Sequence, residues 1–120
     1  MKVLVVDDEP LVRRSLQRAF KAKGHDVDLA EDGGVGLRML LDNSYDGVFL
    51  DVLMPQMTGP QVLQSLPPEK RQQMRIVLMS AFTGAIENQE ATGLADHFLA
   101  KPFEDIFAIV KLMEEIVHER

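Results

Sequence analysis

The sequence contains no cysteine, which removes disulfide frameworks, thiolate zinc sites and cysteine nucleophiles from consideration. No apolar run approaches the ~20 residues a membrane span needs. The opening stretch Met1-Lys2-Val3-Leu4-Val5-Val6 meets Asp7 and Asp8 too early for a secretory signal. Repeats, linkers and low-complexity tracts are missing as well. The three histidines, His25, His97 and His118, are scattered without ligand spacing and read as structural or solvated. Positive charge is in deficit, and a net charge of -6 argues against non-specific nucleic-acid binding. The expectation is a soluble, cytoplasmic chain with neither membrane nor nucleic acid as a partner. What is present is an ordinary globular balance, 46% hydrophobic and 27% charged, so a packed core rather than disorder is expected. At 120 residues that core belongs to a single domain spanning residues 1–120.

Five short apolar, β-branched runs punctuate the chain: Lys2 to Val6, Asp26 to Ala30, Gly47 to Leu50, Arg75 to Met79 and His97 to Ala100. Their markers Val3, Val27, Val48, Val77 and Phe98 lie 24, 21, 29 and 21 residues apart. Hairpins do not tolerate such gaps, whereas strand–helix–strand crossovers need them, and crossovers make the strands parallel. Val3-Leu4-Val5-Val6 and Ile76-Val77-Leu78-Met79 do not alternate in polarity, as expected for strands covered on both faces. Between them the spacing predicts helices. Pro10 suits a first helical position and Gly24 a stop. Asp32 caps a segment running toward Leu41. Pro60 opens a third helix that Pro67-Pro68 closes. A weakly periodic fourth spans Ile86 to Leu94, and Ile106, Val110, Met113 and Val117 mark the last. The pattern is an α/β domain of five βα units.

In open α/β sheets ligands bind beyond the carboxyl ends of the strands. The first strand runs into Asp7-Asp8-Glu9, the third ends in Asp51, the fourth in Ser80 and the fifth in Lys101-Pro102. A sheet closed in the usual way brings Asp7, Asp8, Asp51, Ser80 and Lys101 to one edge. Two carboxylates ~4 Å apart repel by about 4 kcal/mol at an effective dielectric near 20. Three of them either hold a proton or hold a cation. Oxygen-only ligands favour a hard ion, and few protein ligands completed by water favour Mg2+ over Ca2+. A lysine and a hydroxyl opposite the carboxylates suit an incoming phosphoryl group. Taken singly, each residue has a plainer role: Asp7-Asp8 as an acidic turn before a helix, Asp51 and Ser80 as turn formers, Phe98 as core.

The fragments Val5-Val6-Asp7-Asp8-Glu9-Pro10, Leu50-Asp51-Val52-Leu53-Met54-Pro55-Gln56-Met57-Thr58-Gly59, Met79-Ser80-Ala81 and Leu99-Ala100-Lys101-Pro102-Phe103, in this order, resemble the receiver domain of bacterial two-component response regulators. The resemblance covers essentially the whole chain. It implies a flavodoxin-like doubly wound sheet in strand order 2-1-3-4-5, with helices on both faces. It implies a phosphorelay role in which Asp51 accepts a phosphoryl group as an acyl phosphate. By the same resemblance Asp7, Asp8, Asp51 and the backbone carbonyl of Leu53 hold Mg2+, Lys101 pairs with the phosphoryl group, and Ser80 and Phe98 form the switch. Lys101-Pro102 is a cis bond in similar domains. The domain promotes its own phosphorylation and dephosphorylation but is a signalling module, not an enzyme with a separate substrate.

Partners follow from the same resemblance. The donor is a sensor histidine kinase or a histidine phosphotransfer domain. The first helix carries Arg13, Arg14, Arg18, Lys21 and Lys23 with no acidic residue between Pro10 and Gly24. In an acidic protein this is either a solvated face or, through Arg14 and Arg18, the docking surface for that donor. The downstream partner, an output protein or domain, is expected on the face built from the fourth helical segment, the fifth strand and the last helix, and no output domain is expected within these 120 residues. Leu53 and Phe82, two residues after the acceptor and after the hydroxyl, are both apolar and cannot orient an attacking water, which implies a long-lived acyl phosphate. Two competing functions remain at this level. One is a Mg2+-dependent phosphatase with an aspartyl-phosphate intermediate, which Leu53 disfavours because such enzymes place an acid there. The other is a phosphorylation-inactive, receiver-like interaction domain, which the complete set of Asp7, Asp8, Asp51, Ser80 and Lys101 disfavours.

Overall fold

The computed structural model describes residues 1–81 and 93–119. Five parallel strands form one sheet in the order β2-β1-β3-β4-β5: β1 (Lys2–Val6), β2 (Asp26–Ala30), β3 (Gly47–Asp51), β4 (Arg75–Ser80) and β5 (His97–Ala100). Helices α1 (Pro10–Ala22), α2 (Gly33–Asp42), α3 (Gly59–Ser65), α4 (Pro68–Gln72) and α5 (Ile106–His118) connect or follow them. The predicted order 2-1-3-4-5 is the observed one.

The central strands are buried on both faces, which is why their sequences do not alternate in polarity. Successive side chains still point to opposite faces. Val3, Val5, Phe49, Val77 and Met79 pack with Leu16, Ala19 and Phe20 of α1 and Ile109, Val110 and Met113 of α5. Phe20 and Phe49 meet there as a tilted ring pair, centroids 5.5 Å apart. On the other face Leu4, Val6, Val48, Leu50, Ile76 and Leu78 pack with Leu40 of α2 and Val62 and Leu63 of α3.

Three caps fix where the helices begin. Asp32 accepts a bond from Val35 N at 2.8 Å, as expected from its position ahead of α2. Thr58 and Gln61 make a reciprocal capping box at α3, and Asp105 accepts from Phe107 N and Ala108 N at α5. Both of these follow the usual chemistry of helix starts.

Three differences from the sequence reading bear on the site. β3 and β4 each run one residue further than expected, so Asp51 and Ser80 lie inside the sheet's hydrogen-bonded register, opposite Met79 and Ala100 respectively. Their backbones are therefore fixed rather than carried on loops. Pro67-Pro68 does more than close the third helix. α3 already ends at Ser65, and Pro68 starts the short helix α4, since a proline at the first helical position forfeits no intrahelical bond. The fourth helical segment expected over Ile86 to Leu94 falls largely outside the described residues, while Gly93 and Leu94 form a turn.

Candidate functional site

The carboxyl ends of β1, β3, β4 and β5 meet at one edge of the sheet. Asp7 follows β1 directly, and its N–H donates to the Ala30 carbonyl, continuing the pairing with β2. Asp51 is the last residue of β3. Behind it, Val52 N donates to the Met79 carbonyl and Gly59 N to the Val52 carbonyl. Gly59 has to be glycine, because a Cβ there would lie 2.6 Å from the Asp51 carbonyl oxygen. Lys101 N donates to the Ser80 carbonyl at 2.9 Å, tying the end of β5 to that of β4. The Lys101-Pro102 bond is cis, as expected.

Asp7, Asp51 and Ser80 are the buried polar residues among those described. The Lys101 ammonium, itself only 7% exposed, joins the acids. It donates to Asp7 Oδ2 at 2.8 Å and Glu9 Oε1 at 3.2 Å, and lies 3.5 Å from Asp51 Oδ2. The second oxygen of Asp7, Oδ1, accepts from Glu9 N at 2.9 Å. Arg13 reaches back from α1 to donate to the Asp7 carbonyl at 2.7 Å. Asp8 is exposed, yet Asp7, Asp8 and Asp51 each bring a carboxylate oxygen within 4.8 Å of the others. A cleft of about 140 Å³ opens over the cluster, with Asp8, Asp51, Leu53, Ser80 and Lys101 among its walls.

Charge crowding shows in the titration of the group. Burial, reinforced by the nearby Asp7 charge and only partly offset by Lys101, pushes the Asp51 carboxyl up to about 7. Burial also raises Asp7, against the opposing pull of Lys101 and the Glu9 N–H. For Lys101 burial alone would lower the pKa, but its bond to Asp7 and the two aspartate charges outweigh this and raise it. The carboxylates of Asp7, Glu9 and Asp51 thus share one ammonium, and the two buried ones resist ionisation. An all-oxygen set of this kind fits a hard divalent cation.

Most of the expected residues therefore converge. Asp7, Asp8, Asp51, Ser80 and Lys101 share the edge, and the Leu53 side chain, 48% exposed, stands on the cleft's rim. Phe98 does not join them. It is half-buried on the α2–α3 side of β5, packed against that core beside Leu94 and Ala95. Phe82 lies outside the described residues. Two contacts escaped the sequence reading. Arg13 belongs in sequence to the basic stretch of the first helix but is bound to the Asp7 backbone. Glu9 simply follows the two aspartates in the sequence, with nothing there to indicate that its side chain crosses to Lys101.

The raised Asp51 carboxyl has a consequence for stability. The folded state holds this proton more tightly than the unfolded chain, so between the ordinary aspartate range and about pH 7 stability falls as pH rises. Asp51→Asn removes the liability. In chelator at pH 8 the variant should melt several degrees above wild type, and the gap should narrow toward pH 4. A variant melting at or below wild type at pH 8 would contradict the electrostatic reading.

The sequence profile of the response regulator receiver domain matches residues 3–114. The response regulator MprA of Mycobacterium sp. (strain KMS) is 35% identical over 118 residues, covering 94% of this chain and 50% of that protein. The chain thus spans about half the length of the curated relatives it matches. Among structures, the Thermotoga maritima response regulator TrrA, crystallised with Mg(2+)-BeF, superposes with a TM-score of 0.83 at 29% identity, covering 97% of each chain. The receiver domain of the Francisella response regulator 1452 gives 0.86 at 26% identity, covering 98% of this chain and 97% of its own. Matched in sequence along nearly its whole length, and in fold to structures of the same kind, this chain belongs to the response regulator receiver domains of two-component signalling.

Proposed function

We propose that Asp51 is the phosphoacceptor, taking a phosphoryl group from a histidine of a sensor kinase or phosphotransfer domain and switching partner binding in response. The observation that carries this reading is the position of the Asp51 carboxylate, at the end of a buried strand and 3.5 Å from the Lys101 ammonium. One Asp51 oxygen attacks phosphorus. The new O–P bond forms as the donor's N–P bond breaks, and the departing imidazole nitrogen keeps that electron pair and takes a proton from solvent. Asp7, Asp8 and Asp51, with the Leu53 carbonyl, would hold Mg2+, which when bound offsets the charge of the phosphoryl oxygens. Lys101, desolvated and poised beside Asp51, pairs with one phosphoryl oxygen. The Ser80 hydroxyl, at the end of β4, donates to another. Phe98, on the neighbouring strand β5, repacks as Ser80 moves, which carries the change to the surface.

Docking is assigned to α1. Arg14 and Arg18 are exposed, and Leu11, 75% exposed, borders an apolar cleft of about 450 Å³ that runs to Phe103 and Ile106. Exposed cations on the same helix that contributes Leu11, Val12 and Ser15 to the apolar cleft suit an acidic partner with an apolar anchor. The output partner is assigned to the face that includes β5 and α5. The reading further takes residues 1–120 as one receiver domain, working in the cytoplasm, where kinases of this class present their phosphohistidine, and acting on its own Asp51 rather than on a separate substrate.

Incubation with acetyl phosphate and MgCl2, read by intact mass, should add one phosphoryl group to wild type and none to Asp51→Asn. An adduct persisting in the variant would move the acceptor elsewhere. The wild-type adduct should decay slowly once donor is removed, and faster in Leu53→Asn; equal decay would reject the role given to Leu53. Reversing the charges of Arg14 and Arg18 should slow transfer from the cognate kinase by about tenfold while leaving acetyl phosphate labelling intact. Equal loss with both donors would count against docking on α1.

A further inference from the structure

Glu9 occupies an unusual place. It is the N-cap residue of α1, yet its side chain makes no capping bond. Its carboxylate instead reaches Lys101 at 3.2 Å, although the side chain is 59% exposed. Its backbone cannot follow a wandering side chain, because Glu9 N is held by Asp7 Oδ1. The carboxylate thus swings from a fixed root. Two clefts meet at this point. The acidic cleft over Asp51 and the apolar cleft beside Leu11, Val12 and Phe103 share Glu9, Ala81 and Lys101 as walls, so the Glu9–Lys101 ion pair forms the partition between them.

The partition has two effects on an incoming phosphodonor. Lys101 spends two of its three N–H donors on Asp7 and Glu9 and faces Asp51 with the third, so releasing Glu9 frees a second donor for a phosphoryl oxygen. A small dianionic donor must also pass an exposed carboxylate at the mouth, and like charges repel. A macromolecular donor seated in the apolar cleft meets Glu9 from its other side and, by offering an N–H donor to that carboxylate, can draw it away from Lys101. We infer that Glu9 is a positioning residue that sets donor specificity, acting through Lys101 to hold back small anionic phosphodonors until a docked partner displaces it. The inference rests on the reading of Asp51 as the acceptor.

The test compares wild type with Glu9→Gln, and with Glu31→Gln as a control that removes an exposed acid which contacts neither Lys101 nor either cleft. Two readouts are taken in MgCl2: the labelling rate with acetyl phosphate, and the dissociation constant for trifluoroberyllate, a phosphoryl mimic that needs no reaction. Glu9→Gln should label roughly three- to tenfold faster and bind trifluoroberyllate more tightly by a similar factor, with a weaker dependence on salt and an unchanged melting temperature. Glu31→Gln should match wild type. If Glu9 merely braced Lys101, the signs would reverse, with slower labelling and weaker binding. That result, or no change, would overturn the inference, as would an equal acceleration in Glu31→Gln. Failure of wild type to label at Asp51 would defeat the acceptor assignment instead, and Glu9 would then be judged on trifluoroberyllate affinity alone.

Discussion

One buried ammonium holds this edge of the molecule together. Lys101 sits among Asp7, Glu9 and Asp51 with almost no access to water. Removing that charge would leave Asp7 and Asp51 buried and facing each other without compensation, a condition that costs several kcal/mol. The residues arrive from far apart in the chain, and the parallel sheet alone brings them together. Its strands must all end at the same level, which the hydrogen bonds from Asp7 to Ala30, Val52 to Met79 and Lys101 to Ser80 ensure. The two apolar layers cover both faces of the sheet that carries this edge. The core is thus the scaffold, and the acidic cluster is the strained element it supports.

On the proposed reading, such strain couples phosphorylation of Asp51 to a surface change. With one cation for two buried acids and the exposed carboxylates beside them, the cluster is under-neutralised, and burial, reinforced by the Asp7 charge, lets Asp51 hold its proton to about pH 7. Adding positive charge relieves it, whereas adding a phosphoryl group redistributes it. Lys101 and Ser80 are joined through the Lys101 N to Ser80 carbonyl bond, so any movement of one is felt on β4 and β5 together. Phe98 lies in that β5 segment, packed against the α2–α3 core rather than in the cluster. Phe98 thus lies on the strand next to Ser80, and on the proposed reading that short path carries the switch toward the surface.

How much of this was legible in the sequence depends on range. The strands were readable because short apolar, β-branched runs, continuous in β1 and β4, recur between helical segments and leave few alternatives. Their parallel pairing followed from the crossover lengths. The order of the strands was not contained in periodicity, which is blind to neighbours, and came only with the family resemblance. Asp7, Asp51 and Lys101 could be placed because each terminates a strand, so backbone topology alone puts them at one edge. Glu9 and Arg13 could not, since their contacts depend on which way a long side chain turns across 92 and six residues of chain respectively. The capping box of Thr58 and Gln61 was not read from the sequence, where Pro60 alone marked the start of the third helix. The helix opened by Pro68 was hidden because two adjacent prolines first suggest a break.

The central claim is that these crowded carboxylates are sustainable because a divalent cation completes them. The most direct measurement is a Mg2+ titration of the metal-free protein followed by amide resonances. Saturable shifts centred on Asp7, Asp8, Asp51 and Lys101, lost in Asp51→Asn, are the predicted result. Resonances at that edge that stay fixed as Mg2+ is added, while the fold is intact, would contradict it.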